Sequence, residues 1–229
     1  ADPLTSADHQ AAFHNAVRTI ASRYGLRASF MPKPLADTYG NAFHINLSLY
    51  RDRVNLFRME GGQLTAEARH ALAGVLRRLP EMTLFTNPLP NSYDRLTDDE
   101  SPNRVCWSHS RGRNALRVPL PQNRLARMQL ASPDPTCNAY LVYAVVIRAA
   151  LEGIANRETL PPSVGRDWQS APVLPESLTE AIALAKSSAF INESLPAEVV
   201  SAFLRGGEEL LRLDRLDKQS LFQKQFERF

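Results

Sequence analysis

The chain has 229 residues, a net charge of +3 and an isoelectric point near 9.0, with 44% apolar and 22% charged residues. This length allows one sizeable core or two small ones, and the composition is ordinary for a globular protein. Lys and Arg are spread along the chain, so no basic stripe for nucleic acid is expected, and no apolar run reaches the ~18 residues of a membrane span.

Two cysteines without CxxC spacing, Cys106 and Cys137, exclude a disulfide framework and suit a reducing, cytoplasmic setting. The stretch from Ala1 to Ser6 has no basic segment followed by an apolar one, so no signal peptide is expected.

In chain order, residues 6–24 read as an amphipathic helix, with Phe13, Val17, Ile20 and Ala21 near helical spacing and Gly25 as its stop. A strand is expected over 27–31, ended by Pro32 and Pro34. Residues 43–50 alternate. Phe43, Ile45, Leu47 and Leu49 fall on one side, and His44, Asn46 and Ser48 on the other, giving a half-buried strand whose polar face can line a site. A helix capped by Thr65 is expected over 65–79, then a long polar loop over 86–103. Short strands follow at 105–108, 116–120 and 128–130, then a buried helix over 138–156, apolar on most sides. A Pro-rich connector, 159–175, leads to helices at 178–186, 196–204 and 208–229. The expected fold is α+β, a mainly antiparallel sheet with flanking helices. Residues 1–158 form its sheet-bearing part, and 159–229 the connector and terminal helices.

Generic signatures are absent: no GxxxxGK[ST], GxGxxG, GxSxG or HExxH occurs. The five histidines lack zinc spacing. His44 stands apart because it lies on the polar face of a strand just after Gly40. Arg95, Arg104, Arg111, Arg113, Arg117, Arg124 and Arg127 fall in one loop-and-strand stretch. Any one of them could be plain solvated charge. As a group beside a polar loop they favour an anion site, because guanidinium forks bind phosphate and carboxylate in bidentate fashion.

Four segments occur in order: Phe30-Met31-Pro32-Lys33-Pro34, His44-Ile45-Asn46-Leu47-Ser48-Leu49, Phe85-Thr86-Asn87-Pro88-Leu89-Pro90-Asn91-Ser92-Tyr93-Asp94-Arg95-Leu96, and Ser132-Pro133-Asp134-Pro135-Thr136-Cys137-Asn138-Ala139-Tyr140-Leu141. Together with the tail from Leu151-Glu152-Gly153-Ile154 onward, they resemble the C-terminal part of the glutamine synthetase catalytic domain. The resemblance implies an ATP-dependent glutamate–ammonia ligase, in which the glutamate γ-carboxylate is phosphorylated and an amine displaces the phosphate. It implies ATP, glutamate, and ammonia or another amine as partners, Mg²⁺ or Mn²⁺ as cofactor, and a homo-oligomeric ring.

By the same resemblance, His44 is a metal ligand, Gly40 lies against the substrate glutamate, and Arg95 meets the substrate carboxylate. Glu100 is the glutamate of a closing flap. Arg117 and Arg113 (or else Arg111) bind phosphate, Arg127 lies near the nucleotide, and Lys33, in the family's MPKP turn, belongs with Arg113 and Arg127 to the cofactor-binding set.

Several positions depart from the pattern. Gln129 stands where a metal-ligating carboxylate is expected, which removes one negative charge. Ala131 stands where an arginine usually meets the transferred phosphoryl group. Asp98-Asp99 replace Pro-Gly in a flap one residue shorter, Ala42 replaces a glycine, and Asn46 a frequent histidine. The strands that carry most metal-ligating glutamates in the family precede the segment matched by the first helix. Little or no synthetase activity is therefore expected from these residues alone. A non-catalytic assembly module, or a γ-glutamyl ligase for an amine other than ammonia, are the alternatives.

Overall fold

The computed structural model describes residues 2–97, 101–120, 126–164 and 167–229. The expectations for Asp98, Asp99, Glu100 and Arg124 fall outside the described residues.

The first helix, α1 (Pro3–Arg23), starts three residues earlier than expected, because the Asp2 carboxylate accepts from the Thr5 amide and Pro3 opens the first turn. Residues 27–31 are not a strand. A strand needs a ladder, and here the Phe30 amide bonds instead to the terminal Phe229 carbonyl. The alternating segment forms β1 (Ile45–Leu47) and then leaves the sheet. β2 (Tyr50–Arg51) and β3 (Val54–Asn55) make one small hairpin, and β4 (Met59–Glu60) and β5 (Gln63–Leu64) another.

Next comes α2 (Ala66–Thr86), capped by the Thr65 hydroxyl as expected. It does not stop at Pro80. The proline removes one helical hydrogen bond, but Leu79, Met82, Leu84 and Phe85 are all buried, and that burial outweighs the loss. The expected loop over 86–103 is therefore partly helical. After Asn87 the chain turns into α3 (Pro90–Leu96), with Pro90 in its first turn and the Ser92 hydroxyl accepting from the Leu89 amide.

β6 (Arg104–Ser108), β7 (Asn114–Arg117) and β8 (Met128–Leu130) complete a four-stranded sheet of order β1-β8-β7-β6. Two pairings are antiparallel, and β6–β7 is parallel. Ile45, Leu130 and Leu116 pair in one row across the sheet, and all three are buried. The next row, Asn46–Gln129–Arg117, faces the other way, because side chains alternate along a strand.

α4 (Ala139–Ala155) is buried, as its apolar composition demands, and the Asn138 side chain caps it. It packs on α2 so closely that a Cβ at Gly74 would lie 2.7 Å from the Gly153 Cα and would strike the Ala149 carbonyl. The tail differs from expectation: α5 (Leu178–Ser187), a short α6 (Ala189–Ser194), then α7 (Ala197–Leu216) running unbroken through Gly206 and Gly207, and α8 (Lys218–Arg228). One apolar cluster runs from Ile45 through both central helices to Val200. No described helix is long and apolar enough to cross a membrane, and Cys106 and Cys137 are both free thiols.

The glycine pair makes a stability contrast testable. Gly74→Ala is expected to lower stability by about 1–3 kcal/mol through overpacking, seen as a lower urea midpoint at unchanged slope. Gly206→Ala meets nothing within 4 Å and is expected to be neutral or stabilising by about 0.5–1 kcal/mol.

Candidate anion-binding site

The polar row of the sheet opens into a cavity of about 590 Å³ lined by His44, Arg111, Arg113, Arg117, Gln129 and Ala131, with Trp168 as one wall. The sheet register brings these residues together. Gln129 is paired with Asn46 on one side and Arg117 on the other, and His44 immediately precedes β1. Trp168 comes from the Pro-rich connector. The Arg113 guanidinium sits over its indole at 5.2 Å and that of Arg104 at 5.7 Å, which holds two cations against one aromatic ring.

The electrostatics have one sign. No carboxylate lines the cavity among the described residues. Burial first, then Arg111 and Arg127, lower the affinity of Arg117 for its proton. Burial first, then Arg95, Arg117 and Arg111, push the His44 imidazole below its ordinary value, so it is neutral at neutral pH. Arg127 donates to the Asn46 amide oxygen at 2.8 Å, and Gln129 Nε2 points to the same oxygen at 3.4 Å. Arg127 itself lines an adjoining hollow with His109, Arg111 and Arg117.

These residues do not fit a divalent cation. Among the described residues no three His, Cys, Asp or Glu side chains cluster where they could hold one. Hard cations such as Mg²⁺ take about six oxygen ligands, whereas His44 stands among arginines and Gln129 offers a single neutral oxygen.

Gly40 and Arg95 meet below the cavity. A Cβ at Gly40 would lie 2.5 Å from the Pro32 carbonyl oxygen and 2.9 Å from Arg95 Cγ, so glycine alone allows this approach. Arg95 is 3% exposed and donates to the carbonyls of Ser132, at 2.8 Å, and Ala131, at 3.4 Å. Burial lowers its pKa, and Asp134 works against that change. Asp134 is fully buried. It accepts from the Thr136 amide and hydroxyl at 2.9 and 2.6 Å and from Asn87 at 3.1 Å. Burial pushes its carboxyl upward, while Thr136 and Arg95 pull it back. Lys33 stands apart from the cavity, with its ammonium on the Thr38 carbonyl and its backbone clasped by the Asn91 amide.

Asp134, Asn87 and Asn91 were not singled out from sequence. The Asp-Pro-Thr run, which suits an Asx turn, was the available signal for Asp134. Trp168 had none, because the connector has no periodicity.

The family model for the glutamine synthetase catalytic domain matches residues 1–214. The glutamine synthetase of Thermus thermophilus is 37% identical over 218 residues, 90% of this chain and 49% of its own length. That of Methanosarcina mazei is 37% identical over 216 residues, 89% and 48% respectively. Solved structures of apo GmaS without ligand and of a GmaS/ADP complex superpose with TM-scores of 0.85 and 0.86 at 30% identity. Both cover 95% of this chain, and 52% and 53% of their own. The fold is thus that of an α+β domain of the glutamine synthetase catalytic-domain type. The chain belongs to the glutamine synthetase family and matches its C-terminal catalytic domain, and it spans about half the length of the curated relatives it matches.

Arg95 and Asp134 are both buried and attract each other without a direct ion pair, which yields a test. Asp134→Asn keeps the shape but removes that attraction and weakens the Thr136 bonding, so a loss of about 1–3 kcal/mol in denaturant unfolding is expected. Arg95→Met combined with Asp134→Asn should lose clearly less than the sum of the single changes.

Proposed function

We propose that these residues form the phosphate- and substrate-facing part of an ATP-dependent glutamate–amine ligase that works through a γ-glutamyl phosphate. The observation that carries this reading is the convergence of Arg111, Arg113 and Arg117 with His44 in one cavity, where no carboxylate lies among the described lining residues. Phosphoryl transfer leaves little covalent work for the protein; what it needs is fixed positive charge where the equatorial oxygens gather. The backbone of Arg117 is set by β7, and the Arg113 guanidinium rests against Trp168, which positions both for that task. In this reading Arg127 serves the nucleotide end, a role in keeping with the ADP bound by the related GmaS. Gly40 and Arg95 serve the glutamate end. Arg95 acts there by fixing the Ala131–Ser132 backbone under the cavity, and Lys33 by anchoring the turn before Gly40. Glu100 is assigned the closing flap by resemblance. Ammonia or another amine is the acceptor.

Mg²⁺ or Mn²⁺ would screen the phosphate charge in this chemistry, but the described residues offer no ligand set for it. Gln129 and Ala131, both in the cavity, favour a second reading, a non-catalytic family member that keeps the anion site alone. The apolar residues exposed along α1, including Phe13 and Ile20, support a homo-oligomeric assembly that covers them.

Calorimetric titration of the chain with pyrophosphate, in chelator, is expected to show saturable binding that Arg117→Gln weakens about tenfold, or roughly 1.4 kcal/mol. No binding, or binding indifferent to Arg117, would overturn the anion site. Amide formation by the chain alone with ATP, Mg²⁺, glutamate and ammonium should fall orders of magnitude below that of a typical enzyme, since at least one position that the resemblance assigns to a transition-state cation is alanine. An ATP-dependent rise in melting temperature would favour the ligase reading, and its absence the non-catalytic one.

A further inference from the structure

A second cavity, of about 800 Å³, lies between α1, α7, α8 and the turn at 135–138, and shares no lining residue with the arginine cavity. Its size falls in the range of ordinary small-ligand pockets, about 300–1,000 Å³. Leu84, Leu89, Phe203, Leu210, Leu213 and Leu221 make its wall apolar.

Its polar atoms are one-sided. Gln225 on α8 is 5% exposed, and its Nε2 has no acceptor among the described residues. Arg18 on α1 donates from Nη2 to the Phe229 carbonyl at 2.7 Å, while its buried Nε has no acceptor. Of the other polar side chains of the wall, Thr136 is engaged with Asp134, Asn138 with the amides of Tyr140 and Leu141, and His14 with Gln10, while Asn15 is exposed. Lys224 and Arg228 stand at the mouth, and no Asp or Glu lines the cavity among the described residues. A buried donor without an acceptor is costly unless a ligand or water completes it.

Gly206 adds an independent observation. It lines this cavity in the middle of α7, where glycine weakens a helix relative to alanine. Its neighbour Gly207 has a packing reason, since a Cβ there would lie 2.9 Å from Ile182 Cδ1. Gly206 has none, for nothing lies within 4 Å of where its Cβ would be. The space over Gly206 is the mouth of the cavity.

We propose that this cavity binds a monocarboxylate with an apolar body, its oxygens completing Gln225 Nε2 and Arg18 Nε and its tail lying on Phe203 and the surrounding leucines. Two unfilled donors, a cationic mouth and no Asp or Glu side chain among the described lining residues select an anion, and the leucine wall selects a hydrocarbon body over a phosphate or a sugar.

The test is calorimetric titration of the full chain with octanoate, using octanol as the uncharged isostere. Octanoate should saturate one site, and octanol should bind about tenfold more weakly, equivalent to roughly 1.4 kcal/mol. Gly206→Phe, which fills the mouth, should reduce octanoate binding at least tenfold with the melting temperature of the free chain retained. Gln225→Leu should weaken octanoate several-fold and leave octanol unchanged; it carries the test if Gly206→Phe does not fold. Absence of octanoate saturation, equal binding of octanol, or octanoate binding unaffected by Gln225→Leu would each overturn the assignment.

Discussion

Two-residue alternation across three paired strands governs what this domain can do. In β1, β8 and β7 one row of side chains, Ile45–Leu130–Leu116, enters the core, and the adjacent row, Asn46–Gln129–Arg117, must face away from it. A slip of one residue in any of the three strands would bury a guanidinium or an amide and expose a leucine, so burial of one face fixes the chemistry of the other. The helices underneath enforce that register. α2 and α4 approach to glycine contact at Gly74 and Gly153 and present a continuous apolar surface to the sheet.

On the outward face, charge of one sign accumulates. Arg111, Arg113 and Arg117 share a cavity with a neutral His44, and Arg127 lies just beside it on the Asn46 amide. Like charges gathered in one cavity repel, and the burial of Arg117 adds to the cost; an anionic ligand relieves both. Gln129 in the same cavity carries a neutral amide, so it adds no negative charge to offset the arginines. The arrangement is therefore better suited to receiving phosphate oxygens than to holding metal by its own residues.

Beneath the cavity, a second layer fixes the floor. Arg95 crosses under Gly40, bonds to the Ser132 and Ala131 carbonyls, and is balanced by Asp134, which is held in turn by Thr136 and Asn87. A buried charge with this many defined partners has few alternative positions, so the loop bearing Ala131 is set rigidly against the sheet. The opposite side of the Asp134 turn, through Pro135 to Asn138, forms one wall of the apolar cavity between α1, α7 and α8.

Local pattern was enough for the elements whose signals are local. Thr65 as a cap, the apolar run of α4, the alternation of β1 and the position of β8 are all legible because each depends on residues within a few positions of one another. The ordered motifs likewise carried the family. Tertiary structure decided where long-range contacts outweigh local preference: α2 continues past Pro80 because its far turn is buried, α3 forms where composition reads as loop, and residues 27–31 form no strand because no ladder partner reaches them. It also decided which arginines meet. Register, set by burial on the far face of the sheet, places Arg117 beside Gln129, and a connector without periodicity carries Trp168 to Arg113; neither distance is encoded in spacing along the chain.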